Sequence, residues 1–359
     1  MQSSSRGSPT NVEPLRVLVV DDSAYVRFAV ARYLDAIPDI HVAGFAVDGR
    51  SALAQIEELE PDVVTLDVEM PGMDGISALR EIMLRYPRPV LMLSSRTKDG
   101  AVETIRALSL GAVDFIAKPD SRANIGVVMD ELVVKLRACR AVNMTSRSRS
   151  LGTRPLGEPD ARSQTRPMTR TDKLVLIGTS TGGPRALSEV IPALPGDLPA
   201  AVLVVQHMPE GFTGPLATRL DRMSTLAVRE ASDGDDVRCG QVLIAPAGRH
   251  MQVEPGGRVA LNEKPSVHGV RPAADVTMTS AVPIYGNRCV GVVLTGMGRD
   301  GSNGAALIHG SGGWVIAEDQ TTCVVWGMPR SAVEYGAADE VVALPDVAAA
   351  IERAVRRCV

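Results

Sequence analysis

Short apolar runs, each stopped by a polar residue or glycine and followed by an amphipathic stretch, recur along the first third of the chain. "LRVLVVDDS" ends in two aspartates and Ser23, a good N-cap, and the next segment puts Val26, Val30, Leu34 and Ile37 on one helical face. The alternation repeats as "HVAGF" before "GRSALAQIEEL", "VVTLDVEMPGMDG" before "ISALREIMLR", "VLMLSS" before "AVETIRALSLG", and "DFIAKP" before "IGVVMDELVVKLRA". Continuous apolar runs read as strands buried on both faces. Five β-α units predict a doubly wound parallel sheet with ligands beyond the carboxyl ends of its strands. The pattern then stops. From Arg140 to Arg170 the chain carries seven arginines and two acids among many Ser, Thr, Gly and Pro, with neither period, and reads as a flexible basic linker. Beyond it "KLVLIG", "AVLVVQHMPEGF", "CVGVVLTGMGRDG" and "WVIAE" predict a second doubly wound α/β unit with a mostly parallel sheet. The expected division is 14–139, a linker 140–170, and 171–357.

Composition narrows the setting. A length of 359 residues suits about two domains. A net charge of −4 gives no general pull toward nucleic acid, and the arginine-rich linker lacks aromatics that would stack on bases, so no nucleic-acid partner is expected. The five cysteines are scattered without metal or redox spacing and read as reduced thiols. No apolar run reaches transmembrane length and the first thirteen residues lack a signal-peptide core, so a cytoplasmic protein without membrane insertion is expected.

Chemistry collects at the predicted strand ends. Asp21 and Asp22 follow the first strand, Asp67 the third, Ser94 closes the fourth and Lys118 the fifth. Three carboxylates on one edge repel one another unless a cation sits among them, and Mg2+ prefers oxygen ligands. A carboxylate beside Mg2+ can attack a phosphoryl donor, and an ammonium and a hydroxyl can hold the phosphoryl oxygens. "VVDDS", "LDVEMPGMDG", "LSS" and "AKP" at these spacings resemble the receiver domain of two-component response regulators, over nearly all of 14–139. The resemblance implies a flavodoxin-like fold with a five-stranded parallel sheet. It implies Asp67 as phosphoacceptor, and Mg2+ held by Asp21, Asp22, Asp67 and the backbone carbonyl of Glu69. It further implies Ser94 and Lys118 as sensors of the phosphoryl group and a histidine kinase as its source.

In the second half, "VLIGTSTGGP" places Ser180 on a strand-to-helix turn within G-x-S-x-G, whose small residues expose the serine and leave backbone N–H groups for an oxyanion. A phosphate-binding P-loop would need a lysine after the glycines, and none follows. A serine needs a base and an orienting acid. His207, just past an apolar strand, is the first candidate base and His250 the next; His268 lies in a polar loop, His309 in a helical stretch and His41 in the first half. Asp300, in the glycine loop after "CVGVVL", is the candidate acid. That loop also fits a dinucleotide fingerprint, Gly296-x-Gly298-x-x-Gly301 with Glu318 ending the next strand, which stands as the alternative.

"GTSTGGP", "VVQHMPEGFT", "IAPAGRHM", "LTGMGRDG" and "CVVWGMP" together resemble the catalytic domain of chemotaxis protein-glutamate methylesterases, over 173–357. The resemblance implies a serine hydrolase, without a cofactor in its esterase site, that demethylates glutamates on the cytoplasmic helices of chemoreceptors and often deamidates glutamines. It implies Ser180 as nucleophile, His207 as general base, Asp300 as its orienting carboxylate, and the N–H groups of Thr181 and Met297 as the oxyanion hole. Ala273, Ala274, Gln320 and Pro215 depart from the family's usual residues. They are expected to lie clear of Ser180, His207 and Asp300 and to tune which receptor segment is accepted.

Overall fold

A computed structural model describes residues 13–95, 97–118, 125–140, 164–169 and 172–357. The first sheet contains β1 (Leu15–Val20), β2 (Ile40–Ala46), β3 (Val63–Asp67), β4 (Val90–Ser94) and β5 (Asp114–Ala117). Its order is β2-β1-β3-β4-β5, parallel throughout. Helices α1 (Ala24–Leu34), α2 (Gly49–Leu59), α3 (Gly75–Arg85), α4 (Lys98–Ser109) and α5 (Ile125–Cys139) alternate with the strands. Ser23 caps α1 through Val26 N–H, as its position before an apolar periodic stretch predicts. On α1, Val30 and Leu34 are buried, and Val26 and Ile37 pack half-buried on the same cluster.

Little of the segment read as a linker is described: residues 141–163 and 170 lie outside the described residues. At its far end residues 164–169 are described. β6 (Arg166–Pro167) pairs antiparallel with β10 (Arg238–Cys239), and Arg166 grips the Asp172 carboxylate at 2.6 and 2.8 Å. A two-residue strand is too short to leave a period in the sequence.

The second sheet has seven strands in the order β16-β15-β14-β7-β8-β11-β9. They are β7 (Lys173–Thr179), β8 (Ala200–Gln206), β9 (Ala227–Glu230), β11 (Gln241–Ile244), β14 (Cys289–Val293), β15 (Trp314–Glu318) and β16 (Glu340–Val342), and every pair is parallel. A hairpin of β12 (His250–Glu254) and β13 (Arg258–Asn262) stands apart from the sheet. The helices are α6 (Gly183–Ala193), α7 (Thr213–Met223), α8 (Ala274–Tyr285), α9 (Ser302–Gly310), α10 (Met328–Glu334) and α11 (Val347–Arg356). β7 and β8 are buried at every position, which is why their sequences read as unbroken apolar runs. β7 has β8 on one side and β14 on the other, so the strand order reverses there, and a crevice opens beyond its carboxyl end.

Candidate active site

The carboxyl ends of β7, β8 and β14 deliver three loops to that crevice. Ser180 follows β7, His207 follows β8, and Asp300 lies on the loop from β14 to α9. Ser180, Thr181, His207, Met297 and Asp300 line one cavity of about 550 Å³. His207 Nε2 is 2.7 Å from Asp300 Oδ2. Asp300 is buried and also accepts the N–H groups of Ala274 (2.6 Å), Asp275 (3.0 Å) and Gly301 (3.0 Å). Burial works to raise the Asp300 carboxyl, but the hydrogen bond and charge of His207, joined by those N–H groups, outweigh it and hold the group below its ordinary value. Ala274, expected to lie clear of this acid, therefore touches it through its main chain, a contact that side-chain identity at the position does not reveal.

The other histidines have separate partners. His250 opens β12, its Nδ1 accepting Ala273 N–H at 3.2 Å and its Nε2 lying 3.1 Å from the Pro265 carbonyl, so both ring nitrogens are held by main chain. His309 is in the last turn of α9, 3.0 Å from Asp339. His268 lines the same cavity as Ser180, and its Nε2 is 2.8 Å from Asp275 Oδ2. The sequence showed only a polar loop there, because the ordering carboxylate comes from α8.

The dinucleotide alternative fares poorly on geometry. A Cβ at Gly296 would stand 2.8 Å from Ser180 Cβ and 3.0 Å from Ser180 N, so this glycine admits the serine turn rather than a pyrophosphate. Glu318 is fully buried and accepts Thr295 N–H at 2.8 Å and the Thr322 hydroxyl at 3.1 Å, which spends it inside the protein.

On the first sheet, one carboxylate oxygen each from Asp21, Asp22 and Asp67 lie within 4.8 Å of one another. Lys118 Nζ bridges Asp21 (2.8 Å) and Asp67 (2.6 Å). Burial pushes the Asp67 carboxyl up to about 6 against the pull of Lys118, with the Asp21 charge adding to the rise. Asp67 Oδ1 is 3.4 Å from Glu69 N, on the loop whose carbonyl was expected to serve as a ligand. The Ser94 hydroxyl is turned to Thr104 Oγ1 at 2.6 Å, tying the end of β4 to α4.

Two family models match this chain: a response regulator receiver domain over residues 17–129 and CheB methylesterase over 175–351. A protein-glutamate methylesterase/protein-glutamine glutaminase of Symbiobacterium thermophilum is 53% identical over 95% of this chain and 97% of its own length. The chain belongs to that family. A relative of the same name from Thermotoga maritima is 47% identical over 91% of this chain and 94% of its own. The crystal structure of the Thermotoga maritima CheB methylesterase catalytic domain matches at 47% identity with a TM-score of 0.50, covering 51% of this chain and 98% of that one. The protein is thus an enzyme of the methylesterase/glutaminase family, with a receiver domain ahead of a methylesterase domain. Among the described residues no helix is long and apolar enough to cross a membrane.

The two domains meet at the methylesterase crevice. The receiver residues Asp114, Phe115, Asp130, Glu131, Val134 and Lys135 line the cavity that holds Ser180 and His207. The ring of Phe115 stacks on that of Phe212, at the start of α7, with centroids 4.6 Å apart. Lys135 Nζ lies 5.4 Å from the Phe115 centroid and donates to the Phe115 carbonyl at 2.6 Å. α4 packs on α6 and α7, and apolar side chains of both domains merge into one cluster. Asp114 is 3% exposed, and burial raises its carboxyl despite the Lys135 charge. None of these cross-domain partners carries a sequence signal, since each reads as ordinary core or surface within its own domain.

Proposed function

We propose that this chain is a phosphorylation-gated serine esterase that demethylates glutamate methyl esters on the cytoplasmic helices of chemoreceptors and deamidates receptor glutamines. The observation that carries this reading is the His207–Asp300 contact of 2.7 Å beside Ser180 in one cavity. With Nε2 on Asp300, Nδ1 of His207 is the nitrogen left to take the serine proton. Ser180 Oγ attacks the ester carbonyl as His207 accepts that proton, and the N–H groups of Thr181 and Met297 receive the oxyanion. His207 then returns the proton to the departing methoxy oxygen, releasing methanol. Water, deprotonated by the same imidazole, hydrolyses the acyl-enzyme to glutamate. For glutamine the leaving group is ammonia and the steps are otherwise the same. Asp300 stays ionised, as its depressed pKa favours, and holds the imidazole in register.

The gate is the receiver domain, spanning 14–139 and joined through 140–170 to a methylesterase domain of 171–357. Asp67 accepts a phosphoryl group from a histidine kinase. Asp21, Asp22, Asp67 and the Glu69 carbonyl would hold Mg2+, which when bound neutralises charge on the phosphoryl group. The hard oxygen donors within 4.8 Å of one another and the exposure of Asp22 to water fit such an ion. Lys118, already between Asp21 and Asp67, and Ser94 at the head of the β4–α4 connection stand ready to answer the new charge. The unphosphorylated receiver keeps receptor helices out by filling the crevice mouth with β5 and α5, as the residues lining the cavity support. Tethering makes that contact intramolecular, so a modest interface is enough to hold it closed. The protein works in the cytoplasm, where both its kinase and the receptor helices are.

Methanol release from methylated receptor tests the reading. The wild type should release methanol, faster with a small phosphodonor and Mg2+, and Ser180→Ala should not; near-normal release by Ser180→Ala would remove the serine from the mechanism.

A further inference from the structure

The oxyanion donors assigned above are main-chain N–H groups, and a main-chain donor points only where its peptide plane is held. In a trans peptide the N–H and C=O point opposite ways, so fixing one end aims the other. The turn after Ser180 has both of its planes held by buried side chains, one at the end of β8 and one in the loop just past β14.

Ser180 N–H is spent on the Thr295 carbonyl at 3.0 Å, which leaves Thr181 N–H as the next donor along the chain. The carbonyl of the Ser180–Thr181 plane accepts Gln206 Nε2 at 2.9 Å, and the same nitrogen donates to the His207 carbonyl at 2.8 Å. The carbonyl of the Thr181–Gly182 plane accepts the Thr295 hydroxyl at 2.9 Å, and that hydroxyl in turn accepts Val325 N–H at 3.0 Å. Thr295 N–H is anchored on the buried Glu318 carboxylate at 2.8 Å. Gln206 and Thr295 are 1% and 2% exposed, so neither bond competes with bulk water. Room for Gln206 depends on Gly183, where a Cβ would collide with Gln206 Oε1. The second donor is held likewise: the Gly296 carbonyl, on the plane that carries Met297 N–H, accepts Gly327 N–H at 3.1 Å and Met328 N–H at 2.8 Å.

We propose that Gln206 and Thr295 are positioning residues: Gln206 aims the Thr181 N–H and ties the Ser180 turn to the His207 main chain, while Thr295 ties that turn to the loop bearing Met297 and Asp300. This rests on the esterase reading of the site. Neither side chain touches the substrate in this account. Gln206 sets where the Thr181 N–H stands before the oxyanion forms, and Thr295 holds Thr181 by its carbonyl against the loop that brings Met297.

The experiment is steady-state methanol release from methylated receptor with full-length protein plus phosphodonor and Mg2+, with melting followed in parallel. Loss of one oxyanion donor costs about 10²–10³ in kcat, so misaiming one that is still present should cost about 10–100-fold. Thr295→Val, which keeps the shape but cannot donate to Thr181, should lose that much kcat with KM within about twofold. Thr295→Ser, which keeps the hydroxyl, should recover most of the rate. Gln206→Leu should behave like Thr295→Val and provides the second test if one of the two melts too low to assay. A folded Thr295→Val with kcat within about twofold of wild type overturns the proposal. So does a loss seen only in KM, or one that Thr295→Ser shares in full. If Ser180→Ala is inert while Thr295→Val and Gln206→Leu are normal, the positioning role fails and the esterase reading stands. If Ser180→Ala keeps its rate, the esterase reading itself has failed.

Discussion

Truncating Phe115 to alanine should release the enzyme from its own receiver without any phosphoryl group. Phe115 is 3% exposed at the end of the receiver sheet, and its ring meets Phe212 across the domain boundary at 4.6 Å. Emptying a buried phenylalanine site costs about 3–5 kcal/mol. About half of that, ~2 kcal/mol, falls on contacts that exist only when the domains are closed, of which the ring stack alone supplies about 0.5–1.5 kcal/mol. A closed form favoured about 99:1 is stabilised by ~2.7 kcal/mol over the open one. Losing ~2 kcal/mol leaves a ratio near 3:1 and opens about a quarter of the molecules, so basal methanol release should rise about twentyfold. The stimulation left for phosphodonor should then shrink to about fourfold. The assay is methanol release by unphosphorylated Phe115→Ala beside wild type and a fragment of residues 171–359, with near-ultraviolet circular dichroism confirming native packing. A natively packed Phe115→Ala with a wild-type basal rate, beside a fragment that is faster than both, would show that this stack does not hold the gate.

Ser180→Ala and His207→Ala should each lower turnover by roughly 10⁴–10⁶, because such residues act as a unit, with Asp300→Asn costing somewhat less; methanol release under saturating receptor measures all three. Asp67→Asn should keep the basal rate and abolish stimulation by phosphodonor, and chelating Mg2+ should do the same to wild type; stimulation surviving in Asp67→Asn would refute the assignment. The Asp300 carboxyl titrates below its unfolded value, so its contribution to stability is present above the unfolded pKa and is lost as pH falls through the folded one. Denaturant melts of wild type and Asp300→Asn should therefore converge toward acid; a gap that widens toward acid would contradict the sign.

The β-α alternation was legible because β3, β4 and β5 are buried at every position and leave unbroken apolar runs, while the helices show one apolar face each. The edge strand β2, with His41 and Phe45 exposed, was marked less by its own pattern than by its place in the alternation. Ser180, His207 and Asp300 could be read as candidates because each sits just past such a run, where a doubly wound sheet collects its chemistry. Gln206 and Thr295 escaped notice for the same reason: one polar residue at the end of an apolar strand looks like a strand terminus, and its hydrogen bonds reach 26 and 114 residues along the chain. The His268–Asp275 pair was hidden in a polar loop whose partner lies on a helix. The β12–β13 hairpin does carry a signal, polar and apolar residues alternating in HMQVE and nearly so in RVALN across Gly256-Gly257, which a reading built on unbroken apolar runs passes over; the two-residue β6 is too short to leave one. The Phe115–Phe212 stack joins residues 97 positions apart in different domains, and nothing local to either ring distinguishes it from core.

The position of β14 in the sheet also has a meaning in time. β7 cannot complete its pairing until residues 289–293 have been made, and Asp300 comes later still. The receiver sheet and its last helix are finished by Cys139. Since domains fold as units from the amino terminus during synthesis, the cover exists well before the crevice it covers. If the receiver gates the crevice as proposed, a methylesterase domain placed ahead of it would pass through an interval of unrestrained hydrolysis on every ribosome, and the present order builds the gate first.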